Sequence, residues 1–410
     1  MDRRKFLIGA AATSLLARAG PALASTPITY WHHFTSQTEF SALQKVVDLF
    51  KSRFPDIALQ PENIPNSDYM AKMAAAVVAS AQPDTAMIEP DRLADLIAMK
   101  ALVDITDRFA KWDGRENYPG ARISSLSVGD RVYGVPSFAF IDWSYYRTDY
   151  FEQAGLDGPP KTMDAVLTAC KKLTDPSKGR YAFGLRGGAG GFNYLISVME
   201  AFGSPVFRDG KPAMDRQAAI DAVTFYSDIF LKLKAAPPSA PSDGYRQTME
   251  GFRSGQTAML WHHTGSYNEV AASLQPGKQF GTAMMPAGPK ALVARVSYAG
   301  NGIVKSANAD AAWEWVKFWG EKDASIILLK ETGYFPASTA ALQDERIAAN
   351  PLYQPAVKTL DIGTPLPSFV GYAAWAEKTV NPAFQSVLTQ QSTPTEAVDT
   401  MIKGLEAIFH

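Results

Sequence analysis

Four of the five histidines lie in two similar tripeptides, Trp31-His32-His33 and Trp261-His262-His263. Imidazole nitrogens ligate zinc, so a metal site is the first chemistry to weigh. Adjacent residues on a strand point to opposite faces, which lets only one histidine of each pair face a shared site. Two ligands without a third partner make a poor zinc centre. The pattern fits better with two strands that each end on a packed tryptophan, with a later histidine, His33 or His263, turned toward a cleft. There a neutral imidazole donates and accepts hydrogen bonds to hydroxyls. Neither a metal nor a cofactor is expected. Asp91 and Arg92 place a carboxylate beside a guanidinium, with Glu89 two residues earlier. Such planar groups suit vicinal hydroxyls; the plainer alternative is a helix N-terminal charge pair with Asp91 as its cap. Gly184 to Gly191, which contains Arg186, lacks the Gly-x-Gly-x-x-Gly spacing and any following Lys-Ser or Lys-Thr, so it reads as a loop at a cleft-facing sheet edge and not as a phosphate cradle. No Gly-x-Ser-x-Gly pentapeptide marks a hydrolase nucleophile. A pair of carboxylates for glycoside hydrolysis can always be found among so many acidic residues. A glycan hydrolase or lyase therefore stands as the alternative from another class, and the chain is expected not to be an enzyme.

The elements that would position these groups alternate. Ile28 to His33 reads as a strand, Phe40 to Phe54 as a helix by its apolar spacing, Ile57 to Ile64 as a strand, Tyr69 to Ser80 as a helix and Thr85 to Ile88 as a strand, followed by a helix over Leu93 to Met99. A second block repeats the pattern: helix Thr162 to Leu173, strand Tyr181 to Leu185, helix Tyr194 to Phe202, a long helix from Asp215 to Lys234 and strand Thr257 to Trp261. Strands alternating with helices imply mostly parallel sheets wrapped by helices, whose ligands sit at the carboxyl ends of the strands. Two such lobes leave a cleft between them. Asp142 to Arg147 and Gly281 to Met285 are expected to cross between lobes, because each joins a finished block to a new one. Among the aromatics, Phe138, Phe140, Trp143 and Tyr145 fall on or before the first crossing and can supply flat faces. Trp313, Trp315 and Trp319 fall on a regular helix and read as packing residues. Asn301, between Gly300 and Gly302, offers an amide where backbone can approach closely.

The first 24 residues stand apart. Arg3-Arg4-Lys5 precedes an apolar run from Leu7 to Leu16 and a small-x-small ending, Ala22-Leu23-Ala24, which together read as a cleaved export signal. The paired arginines before Phe6-Leu7 suit the twin-arginine type, with a Sec signal as the other reading. Arg18 interrupts the run too early for a membrane anchor, and no cysteine follows to carry a lipid, so a soluble periplasmic protein is expected. The remaining 386 residues carry 36 basic and 40 acidic groups, a formal charge of −4. That balance provides no basic face for nucleic acid. The lone Cys170 makes neither an internal disulfide nor a zinc cluster and reads as a small packed residue on a helix.

Gly129-Asp130-Arg131-Val132-Tyr133-Gly134-Val135-Pro136, continuing through Tyr145-Tyr146-Arg147-Thr148-Asp149-Tyr150-Phe151 and Ala154-Gly155-Leu156 to Thr162, resembles the signature of the extracellular solute-binding proteins that feed ABC importers, in their carbohydrate-binding branch. Phe252 to Met259, Gly333-Tyr334-Phe335-Pro336 and the stretch from Asp91-Arg92 to Ile105 are similar to further parts of that family, in its order. The resemblance implies a two-lobe periplasmic-binding-protein fold of class α/β, a Venus-flytrap clamp that closes on a solute by population shift and delivers it, as a monomer, to the transmembrane subunits of a permease. By the same resemblance Asp91 and Arg92 hydrogen-bond sugar hydroxyls, Asn193 is a second-lobe contact, and Tyr372 and Trp375 lie where relatives carry stacking aromatics. The pattern departs from the maltose-binding type at Phe140, where that type has a carboxylate, and near Glu377, which stands in place of a basic residue. The expected ligand is therefore a mono- or disaccharide or a polyol, with a polyol phosphate or other small anion as the alternative. The expected binding set is His33, Gln37, Glu89, Asp91, Arg92, Phe140, Trp143, Tyr145, Arg186, Asn193, His263, Gly265, Asn301, Tyr334, Tyr372 and Trp375. The implied division is residues 25–140 with 286–345 in one lobe and 141–285 with 346–410 in the other.

Overall fold

The computed structural model describes residues 25–304 and 307–409; the expected export signal, residues 1–24, lies outside the described residues. Among the described residues no helix is long and apolar enough to cross a membrane.

The alternation seen in the sequence becomes a sheet in the order Ile57–Asn63, Thr26–His32, Thr85–Ile88, Val296–Ile303, Val135–Tyr146, Thr257–His263, Tyr181–Phe183. The first three strands run parallel, and Val296–Ile303 runs antiparallel to both of its neighbours. Helix Gln37–Arg53 starts with a capping box in which Ser36 accepts from Glu39 N and the Glu39 carboxylate accepts from Ser36 N. Its buried face, Leu43, Val46, Val47 and Phe50, packs with Trp315, Phe318 and Trp319 in the core of the first lobe. Trp313 joins a separate cluster at the joint between the lobes. The three tryptophans of Ala309–Trp319 are thus packing residues.

The lobes do not have separate sheets. Val135–Tyr146 is one 12-residue strand that serves both. Ile141 still pairs with Val296 of the first lobe, whereas Asp142 already pairs with His263 of the second. The hand-off is therefore between Ile141 and Asp142, at the first residue of the stretch expected to cross. The return also differs: Gly281–Ala283 still pairs with Ser144 to Tyr146, Ala287 bridges to Thr162, and the chain regains the first lobe only at Val296. Continuous antiparallel pairing along a shared strand explains why no loop signal marks the first crossing, whereas the return passes through the Pro286-Ala287-Gly288-Pro289 loop. A third connection runs through Thr364, bridged to Arg295, into the C-terminal helices. These helices pack in the second-lobe core with Cys170, whose thiol is free and is pushed up to about 12 by burial.

Candidate functional site

A cleft of about 810 Å³ opens between the lobes, beside the Ile141–Asp142 hand-off. Its first wall comes from the carboxyl ends of parallel strands. After Thr26–His32 the chain turns so that His33 faces the cleft; after Thr85–Ile88, Glu89 starts helix Pro90–Ala98 as its N-cap residue but makes no side-chain cap bond. Glu89 is thus free to face the cleft, and Asp91, one residue inside the helix, is not the cap. Arg92 is 6% exposed. It hydrogen-bonds Asn66 Oδ1, lies 3.5 Å from Glu89 Oε2, and sits over the Tyr69 ring at 5.7 Å. Its Nη1 has no partner among the described residues. His33 Nε2 is 3.6 Å from Glu89 Oε2 and makes no hydrogen bond.

Burial sets the protonation states here. It holds His33 and His263 neutral, with pKa values lowered to about 3 in each case, and nearby arginine charge adds to the effect. It raises Asp91 to about 6, with Glu89 repulsion assisting and Arg92 opposing. On the second wall burial likewise raises Asp142 to about 6, against the pull of Arg295 and Arg186.

The second wall is formed by Asp142, Arg186, Asn193, Tyr245 and His263, together with Glu377 and Gln385 from the C-terminal helices. At the floor the Tyr334 hydroxyl donates to Glu39 Oε1 at 2.6 Å, while its ring stacks on Phe138 and, tilted 30°, faces His263 at 5.7 Å. Phe140 meets both Tyr334 and His263 edge-on.

Nine of the expected residues line this cleft: His33, Glu89, Asp91, Arg92, Phe140, Arg186, Asn193, His263 and Tyr334. In each histidine pair the second member faces it, while His262 is turned away onto Ser266 Oγ at 2.8 Å. Seven do not line it. Gln37 is exposed and belongs to an adjoining groove of about 520 Å³ that shares Thr35, Tyr245 and Arg246 with the cleft. Trp143 and Tyr145 point into the core at the joint, where the Tyr145 hydroxyl donates to His263 O; they lie on the strand face opposite Asp142. Gly265 is covered by Tyr334, whose ring would be 1.7 Å from a Cβ there. Asn301 is fully buried and donates to Ser137 Oγ; the close approach its flanking glycines permit is to the neighbouring strand, since a Cβ on Gly300 would meet Val135 O at 2.1 Å. Tyr372 and Trp375 lie in the second-lobe core, where the Trp375 indole donates to Met401 O.

Glu39, Asn66, Asp142 and Tyr245 were missed. Glu39 carried a legible capping-box signal that speaks only of the helix. Asp142 was findable, because it follows the Phe140 position by two residues on one strand and so shares its face. Asn66 and Tyr245 had no signal in the sequence. Among the described residues no group of histidine, cysteine or carboxylate side chains is arranged to hold a metal.

Residues 35–326 match the family model of the bacterial extracellular solute-binding proteins. The chain belongs to that family. A binding protein of Brucella abortus (strain 2308) is 23% identical over 372 residues, 89% of each chain. The mannitol-binding protein of Pseudomonas aeruginosa is 33% identical over 141 residues, 33% of this chain and 32% of that one. A solved ABC transporter solute-binding protein from Thermotoga lettingae, bound with alpha-D-tagatose, superposes with a TM-score of 0.86 at 21% identity, covering 94% of this chain and 100% of that one. These are binding proteins and not enzymes, and the fold of the Thermotoga lettingae protein is the one seen here.

Proposed function

We propose that this solute-binding protein captures an uncharged sugar or polyol in the interlobe cleft and delivers it to the transmembrane subunits of an ABC importer. The observation that carries the reading is the set of buried nitrogens with no partner on the cleft walls, His33 Nε2, Arg92 Nη1 and His263 Nδ1, beside the carboxylates of Glu89, Asp91 and Asp142. A buried polar atom left without a partner costs about 1–3 kcal/mol. A polyhydroxylated ligand satisfies donors and acceptors together, and closure around it is favoured by contacts made only in the closed state. A phosphate is less suited, because the carboxylates of Glu89, Asp91 and Asp142 line the same cleft and Arg92 and Arg295 already face Glu89 and Glu200. The names of the relatives support the same class, mannitol for one and tagatose for another. The protein acts as a monomer in the periplasm after removal of residues 1–24, and replacing Arg3 and Arg4 by lysine should leave it in the cytoplasm if export is of the twin-arginine type.

Titration calorimetry against D-mannitol, D-tagatose, maltose, related sugars and their phosphates tests this. One neutral member should bind tightly and come back intact by mass spectrometry. Recovery of a cleaved ligand would overturn the carrier reading, and tight binding only of phosphates would replace the neutral ligand by an anion.

A further inference from the structure

The glycine-rich loop supplies Arg186 to the second wall of the cleft. It leaves strand Tyr181–Phe183 and enters helix Phe192–Phe202 as a tightly packed coil. A Cβ on Gly187 would stand 2.6 Å from Ala240 O, one on Gly188 2.4 Å from Ser242 O, and one on Gly191 2.1 Å from Arg186 O. The side chain this coil presents to the cleft with charge is Arg186. Its Nε donates to Ala189 O at 2.7 Å. Its guanidinium lies on Gly190, where a Cβ would be 2.4 Å from Nη2 and 2.9 Å from Cζ. Gly190 has φ +77°, a backbone that glycine adopts freely and other residues rarely do. One edge of the guanidinium is therefore occupied by the loop itself, and the Nη edge remains for the cleft. Among the described residues no carboxylate pairs with it, in contrast to Arg92 and Arg295. Asp142 lines the same wall, so local negative charge is already present.

We propose that Gly190 is a positioning residue that holds Arg186, and that Arg186 thereby selects an uncharged ligand by donating from its two Nη atoms to two adjacent hydroxyl oxygens. The selection rests on the sugar or polyol reading above; the holding does not.

A ligand-free measurement separates the two. In 15N-labelled protein the Arg186 Nε–H signal, identified by its loss in Arg186→Lys, should exchange slowly with solvent in the wild type and at least tenfold faster in Gly190→Ala. Equal exchange would overturn the holding role. Gly190→Asn supplies the same Cβ on a residue that tolerates left-handed backbone, and it replaces the alanine variant if that variant fails to fold.

Calorimetry with the tightest-binding neutral member of a D-mannitol, D-tagatose and maltose panel tests the selection. Arg186→Lys should weaken binding at least tenfold, since an ammonium lacks the paired edge, and Gly190→Ala at least fivefold. Placed in an Arg186→Met background, Gly190→Ala should change affinity less than twofold. A fivefold loss in that background as well would show a merely structural glycine. Tighter binding of D-mannitol 1-phosphate than of D-mannitol by tenfold or more would overturn the hydroxyl assignment. If no neutral member binds the wild type, the sugar reading and the hydroxyl assignment fail together, while the Nε–H signal still judges the holding role.

Discussion

On the first-lobe wall Glu39, Glu89 and Asp91 face the cleft with one arginine, Arg92, whereas across it Asp142 and Glu377 stand with Arg186, Arg246 and Arg295. The first wall is built where parallel strands end and helices begin, so its groups come from three short segments and brace one another: Glu89 against Arg92, Arg92 against Asn66 and Tyr69. The second wall is assembled from a shared strand, a glycine coil and the C-terminal helices, which are far apart in sequence. The more acidic wall faces one richer in arginine, and a neutral ligand with many hydroxyls can donate to one and accept from the other.

The floor beneath both walls gives the largest expected effect and marks where binding stops and packing begins. Trp143→Ala should destabilise the protein by about 3–5 kcal/mol in denaturant unfolding, the usual cost of truncating a buried tryptophan, with ligand affinity within twofold of wild type. A tenfold loss of affinity at unchanged stability would return Trp143 to the cleft. Next comes the acidic wall: Asp91→Ala should weaken binding by about 1.5–3 kcal/mol through loss of a charged hydrogen bond, and unchanged affinity by calorimetry would remove Asp91 from the site.

Contact between the lobes comes third. In Gly265→Ala the new Cβ must displace the Tyr334 ring and with it the hydroxyl that donates to Glu39. We expect about a tenfold loss of affinity, about 1.4 kcal/mol, and a larger radius of gyration of the ligand-bound protein in X-ray scattering. An unchanged radius would show that the ring moves aside without parting the lobes.

The smallest effect is one of pH. The folded pKa of Asp91, about 6, lies above that of an unfolded aspartate, so between about pH 4 and 6 the folded protein holds more protons and its stability falls as pH rises. His33 and His263 act oppositely: their lowered pKa values make stability fall as pH drops below about 6.5. The Asp91 contribution is isolated by difference. Ligand-free Asp91→Asn should melt above wild type at pH 7 by about 1–3 °C, with the gap closing toward pH 4.5. A constant gap across that range would place Asp91 in a solvated setting.

Local pattern made much of this legible. The helical spacing from Phe40 to Phe54, the strand at Thr85 to Ile88 and the Asp91-Arg92 pair at a helix start each follow from residues within a few positions of one another, and so the first wall could largely be named in advance. The second wall could be named only in part, through Arg186, Asn193 and His263. Tyr245 reaches it only through lobe docking, which no local spacing encodes, whereas Asp142 shares the Phe140 face of one strand and was open to that reading. The aromatics show the same division: Trp143 and Phe140 lie three residues apart on one strand, and the face each takes depends on register against Val296–Ile303 and Thr257–His263. Composition and periodicity suffice for an α/β protein with a cleft, because burial and backbone geometry act over short stretches of chain. Which side chains share that cleft, and which glycines make room for a ring or a guanidinium, was decided only when segments as distant as Gly190, Gly265 and Tyr334 were packed together, since close packing is a property of neighbours in space.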